Sequence, residues 1–130
     1  MNIQLKDTKI TGINLSSTEE EPTGDSVKRL EYKAGFLETP KNLFMILFEI
    51  ELLTEEGIRL AIDFEALFQT SEDITEEFQE SHFPRVNAPA IAYPFLRSAI
   101  ANILLQSGYK PVILPAINFT QTVEVNREGR

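Results

Sequence analysis

At 130 residues, with 42% apolar and 25% charged side chains, the chain has the size and composition of one globular domain, which excludes disorder throughout. It has no cysteine, which excludes disulfides, thiolate nucleophiles and cysteine-ligated zinc. Twenty acidic against 12 basic residues give a net charge of -8 with no basic stripe, which argues against nucleic-acid binding and for a solvated acidic surface that also attracts basic segments of a partner chain.

The opening residues Met1 to Lys6 lack a basic region followed by an apolar run, so no signal peptide is expected. No apolar stretch approaches the ~20 residues that a membrane span needs. The expectation is a soluble, cytoplasmic protein. Residues 2–15 carry spaced apolar positions, Ile3, Leu5, Ile10, Ile13 and Leu15, and predict a strand interrupted near Gly12. Residues 16–26, with Glu19, Glu20, Glu21, Pro22 and Gly24, predict a flexible acidic loop.

From Val27 to Phe36 the residues Leu30, Tyr32, Ala34 and Phe36 share one parity, and Arg29, Glu31 and Lys33 the other. This is a half-buried antiparallel strand, with Lys28 out of place on the apolar side. From Leu43 to Leu53 the residues Phe44, Ile46, Phe48, Ile50 and Leu52 alternate, while Leu43, Met45 and Leu47 make the opposite face apolar as well. A turn at Thr54-Glu55-Glu56-Gly57 leads to Ile58, Leu60, Ile62 and Phe64, so the two runs form a long hairpin.

Residues 70–81 are acidic and predict a short helix or structured loop around Ile74 and Phe78. The main helix is expected between Ala88 and Gly108, with Pro94 in a first turn and Gly108 as its stop. Its apolar stripe is Phe95, Leu96, Ala99, Ile100, Ile103 and Leu104. Ile91 and Leu105 lie beyond that stripe, where another subunit has room to pack. Pro111 and Pro115 make the following segment extended, and Thr120 to Val125 alternates as a strand or frayed end. The whole, residues 1–130, reads as a single domain with a divergent tail over 120–130.

The order of several short motifs resembles the SecB export-chaperone family. Tyr93-Pro94-Phe95-Leu96-Arg97 looks like the aromatic-Pro-aromatic-x-Arg opening of that family's long helix. Gly108-Tyr109-Lys110-Pro111 is similar to the Gly-x-x-Pro that ends it. Leu114-Pro115-Ala116-Ile117-Asn118-Phe119 resembles the Leu-x-Pro-hydrophobic-Asn-Phe segment that follows, with the proline displaced by one position. The resemblance implies an α+β fold, a four-stranded antiparallel sheet with one long helix packed on it. It also implies a homo-oligomer, dimer or tetramer, that holds unfolded polypeptides without nucleotide, cofactor or catalytic residue. Arg59 and Ala61 fall where the family docks the motor SecA; one is charge-reversed and the other truncated, which counts against SecA as a partner. The chain looks nearer to shortened SecB-like proteins outside the export pathway, among them chaperones of toxin–antitoxin systems.

The residues expected to bind client or a second subunit are Leu43, Met45 and Leu47 on the strand and Tyr93, Phe95, Ile100 and Leu104 on the helix. Met45, with Phe36 and Phe68 near it in the pattern, suits adaptable packing. An alternative is an adaptor with the same fold that binds one specific protein partner. Enzymatic readings are weak. His82 is a lone histidine beside Phe83 and Pro84, and Glu76, Glu77 and Glu80 make a generic acidic helix face with no metal expected. Asp63 and Glu65 share the outward face of one strand, where solvated carboxylates are commoner than an acid/base pair.

Overall fold

The computed structural model describes residues 1–24 and 26–120. Four strands, β1 (Ile3–Ser17), β2 (Val27–Phe36), β3 (Leu43–Leu53) and β4 (Ile58–Thr70), form one antiparallel sheet in the order β1-β4-β3-β2. A short helix α1 (Glu76–Glu80) and a π-helical turn (Phe83–Asn87) lead into the long helix α2 (Ala88–Gln106). The fold is α+β, with α2 laid on one face of the sheet.

The register places like with like across that face. Val27, Leu52, Leu60 and Leu15 form one row; Leu30, Ile50, Ile62 and Ile13 the next; Tyr32, Phe48, Phe64 and Ile10 a third; Phe36, Phe44, Phe68 and Leu5 a fourth. Against these rows α2 buries Ala92, Tyr93, Leu96, Ile100 and Leu104. Burial of this kind supplies most of the driving force for folding, at ~1.5–3 kcal/mol for each large apolar side chain.

β1 is not broken at Gly12. It runs through Ser17 and carries two bulges, which leave Lys6 and Thr11 as extra residues. Each bulge shifts the side-chain parity by one, so apolar positions spaced two and three apart all reach the same face. Gly12 has a separate reason to lack a side chain: a Cβ there would lie 2.7 Å from Oδ2 of Asp63. A bulge between Val27 and Arg29 likewise removes Lys28 from the inner row, which explains its exception to the alternation.

The helix begins earlier than its motif suggests. Pro94 is in the middle of α2 and not in a first turn, while Pro89 occupies the start and is buried. Gly108, at φ 94°, ends the helix as expected, and the N–H of Tyr109 closes on the carbonyl of Leu104. Beyond it, an extended strap of residues 110–118 crosses toward β2, anchored by Leu114 and then Phe119. The Asn118 side chain accepts from the N–H of Thr120, and Phe119 and Thr120 are already helical. The alternation at Thr120 therefore does not start a strand; the rest of the expected segment, 121–125, lies outside the described residues.

Candidate functional site

The outer face of the sheet, opposite α2, divides into an ionic end and an apolar end. At the ionic end Glu51 is only 8% exposed. Arg29 opposes it directly on β2, with Nε 3.9 Å from Oε1, Lys28 Nζ lies 4.0 Å from Oε2, and Arg59 of β4 donates to the same carboxylate. The hydrogen bond from Arg59 holds the Glu51 carboxyl below the usual carboxylate range; burial opposes this, and the charges of Arg59, Lys28 and Arg29 reinforce it. Arg29 also reaches Glu49 at 3.3 Å and Glu31 at 3.2 Å, and Lys28 reaches Glu20 at 2.9 Å. Arg59 is thus engaged within the chain.

At the apolar end Leu43, Met45 and Leu47 point away from α2, and Leu67 of β4 stands directly opposite Met45. All four are half-buried. Gly35 completes the row beside Met45 on β2, leaving the strip shallow there. Lys33 and Glu65 flank Leu47, so charge borders the strip on both neighbouring strands. Between this row and the acidic row of Glu31, Glu49 and Asp63 runs a trough of about 370 Å3. Phe36 and Phe68 do not join Met45: the register puts both on the α2 face, stacked on either side of Phe44. Asp63 and Glu65 do share the outer face; Asp63 lines the trough and Glu65 does not. Among the described residues no three His, Asp or Glu side chains converge as a metal site.

The helix residues separate sharply. Tyr93 is 4% exposed, and Ile100 and Leu104 are fully buried. They are core, held against the sheet, and offer no surface to a partner while that packing lasts. The Tyr93 hydroxyl donates to the carbonyl of Pro115 at 2.7 Å, which fixes the strap to the helix. Phe95 is 49% exposed and turns away from the sheet, with Ile91 and Leu105. A stripe counted at helical spacing does not say which of two apolar faces is the inner one. The sheet decides it, through Leu96, Ile100 and Leu104.

One further surface escaped the sequence reading. Ile10, Ile13 and Leu15 lie on the α2 side of the sheet, yet remain exposed at the β1 edge. Their spacing marked an apolar strand face but not the width of its cover. Leu67 was missed because its strand was followed only as far as Phe64.

Comparison with known proteins places this architecture. The sequence model of the family described as "Preprotein translocase subunit SecB" matches residues 59–128, more than half of the chain. The chain belongs to the SecB family. Among curated relatives, the protein-export protein SecB of Magnetococcus marinus is 42% identical over 41 residues, 29% of this chain and 26% of that protein. SecB of Anaplasma phagocytophilum is 34% identical over 61 residues, 45% of this chain and 37% of that protein. The matched stretches therefore span about a quarter to just over a third of those relatives. Among solved structures, the Rv1957 SecB-like chaperone of Mycobacterium tuberculosis, in complex with a ChAD peptide from the HigA1 antitoxin, superposes with a TM-score of 0.64 at 15% identity. The match covers 88% of this chain and 89% of that one, and shows a shared fold.

Proposed function

We propose that this protein is a cytoplasmic, ATP-independent holdase that binds apolar segments of non-native polypeptides and assembles as a homo-oligomer. The proposal takes residues 1–130 as one unit with no cofactor and no catalytic step. The observation that carries it is the apolar strip of Leu43, Met45, Leu47 and Leu67, open on a sheet face whose neighbouring rows are charged. Apolar strips rimmed by polar groups mark interaction surfaces. Each large client side chain buried there contributes up to ~1.5–3 kcal/mol, so a few such contacts support micromolar binding after the cost of ordering the client. Met45 adapts its shape to different side chains, and the acidic surroundings keep the complex soluble.

Phe95 belongs to the assembly surface and not to the client strip. Together with Ile91 and Leu105 it makes α2 apolar on the side away from its own sheet, a pattern that calls for a second layer of protein.

The test is dilution of a denatured model protein into buffer without ATP, with and without this chain. Stoichiometric suppression of aggregation is expected, absent with an equally acidic control protein. Leu47→Glu, on the open face, should abolish suppression while the far-UV circular dichroism is unchanged. No suppression by the natural protein at several-fold excess overturns the holdase reading. A second reading, an adaptor dedicated to one partner, draws support from the antitoxin peptide held by the Mycobacterium tuberculosis neighbour. A single stoichiometric partner in a pull-down, without aggregation suppression, selects it.

A further inference from the structure

The two edges of the sheet differ in regularity. β1, at one edge, changes register between Leu5 and Asp7 and again between Ile10 and Gly12. β2, at the other, keeps an unbroken register with β3 from Arg29 to Phe36. Bulges disrupt a ladder and blunt an edge as a template for a further strand, so β1 is guarded and this run of β2 is not.

The direction of each backbone group along β2 follows from the hairpin beside it. The Thr54 N–H donates to the carbonyl of Ile58, so the even-numbered residues of β3 bond to β4. The Leu53 N–H donates to the carbonyl of Ser26, so the odd-numbered ones bond toward β2. Along an antiparallel pair the two directions alternate. Arg29, Glu31, Lys33 and Gly35, the partners of Glu51, Glu49, Leu47 and Met45, therefore bond back to β3. Leu30, Tyr32, Ala34 and Phe36 turn their N–H and C=O groups outward. Among the described residues nothing hydrogen-bonds to those groups.

Resting on the holdase reading above, we infer that an extended segment of the client adds to β2 as a further, antiparallel strand. The chemistry of the edge identifies this occupant. A row of donors and acceptors at strand spacing is complementary to another backbone and to no particular side chain, so one site accepts many sequences. The outer side chains add a preference. Lys33 forms no ion pair among the described residues and favours an acidic residue beside it; Glu31 favours a basic one two positions on. At Gly35 a Cβ would meet only Cδ1 of Leu47, at 3.7 Å. An aromatic residue paired with this glycine lies across it toward Met45 and joins the edge to the apolar strip.

The probe is a fluorescein-labelled peptide with blocked ends, Thr-Val-Phe-Val-Glu-Val-Lys-Val-Thr, titrated with the natural protein by fluorescence anisotropy. In the antiparallel pairing its valines stand opposite Phe36, Ala34, Tyr32 and Leu30 and donate to β2. The N–H groups of its phenylalanine, glutamate and lysine point away. Methylating the nitrogens of the two central valines should weaken binding at least ~10-fold, the loss of two hydrogen bonds. Moving both methyl groups to the glutamate and the lysine should change it by less than ~3-fold, since no bond to β2 is lost. Equal affinity for the two methylated peptides overturns strand addition. Ala34→Pro removes an outward donor and no bond to β3, a position that an edge strand tolerates. With its fold verified by circular dichroism, this variant should also bind the unmodified peptide at least ~10-fold more weakly; undiminished binding overturns the inference. A natural protein that neither binds the unmodified peptide nor suppresses aggregation overturns the holdase reading as well. Suppression of aggregation by a protein that ignores the position of the methyl groups, or the peptide altogether, overturns the edge alone.

Discussion

The two halves of the helix-side face are built from similar apolar rows, and only one half is closed. On the β2 side, Tyr32 packs edge-on against Phe119 with centroids 5.1 Å apart, and Phe119 in turn meets Tyr93 at 5.5 Å. The π-helical turn and the strap complete that cover. On the β1 side the same rows run on into Ile10, Ile13 and Leu15, and among the described residues nothing closes them. Hydrophobic residues in a strand thus have two different meanings in one molecule. At one edge they hold the monomer together; at the other they are exposed surface.

The largest effect that separates the halves is on stability. Phe48 is 1% exposed and lies between Tyr32 and Phe64. Phe48→Ala should cost ~3–5 kcal/mol, from lost burial and the cavity left behind. Ile13→Ala, one row away and open to solvent, should cost under ~1 kcal/mol. Urea titrations of the monomeric state measure both. Similar losses at the two positions would show that the β1 half is closed within the monomer.

Much of this plan was legible in the sequence, for identifiable reasons. The hairpin of β3 and β4 alternates without interruption, so its start at Leu43, its turn and its inner face followed from period alone, whereas the end of β4 at Thr70 did not. The α+β class and the order of helix and strap followed from the motifs Tyr93-Pro94-Phe95 and Gly108-Tyr109-Lys110-Pro111. Two kinds of feature did not. Bulges at Lys6 and Thr11 break the period that identifies a strand while preserving its face, so β1 read as interrupted. The separation of buried Tyr93, Ile100 and Leu104 from exposed Phe95 was not legible because α2 is apolar on both sides. Periodicity finds such a stripe, but only the packed sheet distinguishes core from contact. The strip of Leu43, Met45 and Leu47 was legible as a surplus of apolar residues on the outer face, and its fourth member, Leu67, appeared only through the register.

A smaller effect tests how the closed half is fastened. Tyr93→Phe removes the donor to the Pro115 carbonyl and should cost ~1 kcal/mol, leaving a partly buried acceptor unpaired. Tyr32 faces the carbonyls of Arg85 and Phe119 at 3.5 and 3.4 Å, and burial pushes its phenol up to about 12. A phenol whose folded pKa exceeds its unfolded value near 10 favours the folded state fully below pH ~10. That contribution is lost as pH rises from about 10 through about 12. Stability should therefore fall over this window in the natural protein and fall less in Tyr32→Phe, measured as the midpoint of urea unfolding at each pH. No comparable dependence is expected from the β1 half, which has no tyrosine.

The smallest effect is expected on the outer face, where Glu51 ties three strands together. Its carboxyl is held below the ordinary range by the hydrogen bond from Arg59, so the folded state binds its proton less readily than the unfolded chain. The contribution is present above the unfolded pKa near 4.3 and is lost as pH falls through the lowered folded value. Glu51→Gln removes that dependence and leaves Arg29, Lys28 and Arg59 close together without their shared anion. The variant should be less stable than the natural protein at neutral pH, with the gap closing below pH 4 and narrowing in high salt. Because this cluster faces away from α2, the same variant should leave the sedimentation behaviour unchanged. A change in assembly on neutralising Glu51 would mean that the two faces of the sheet are coupled, and that β1 responds to charge on the face it shares with Arg59.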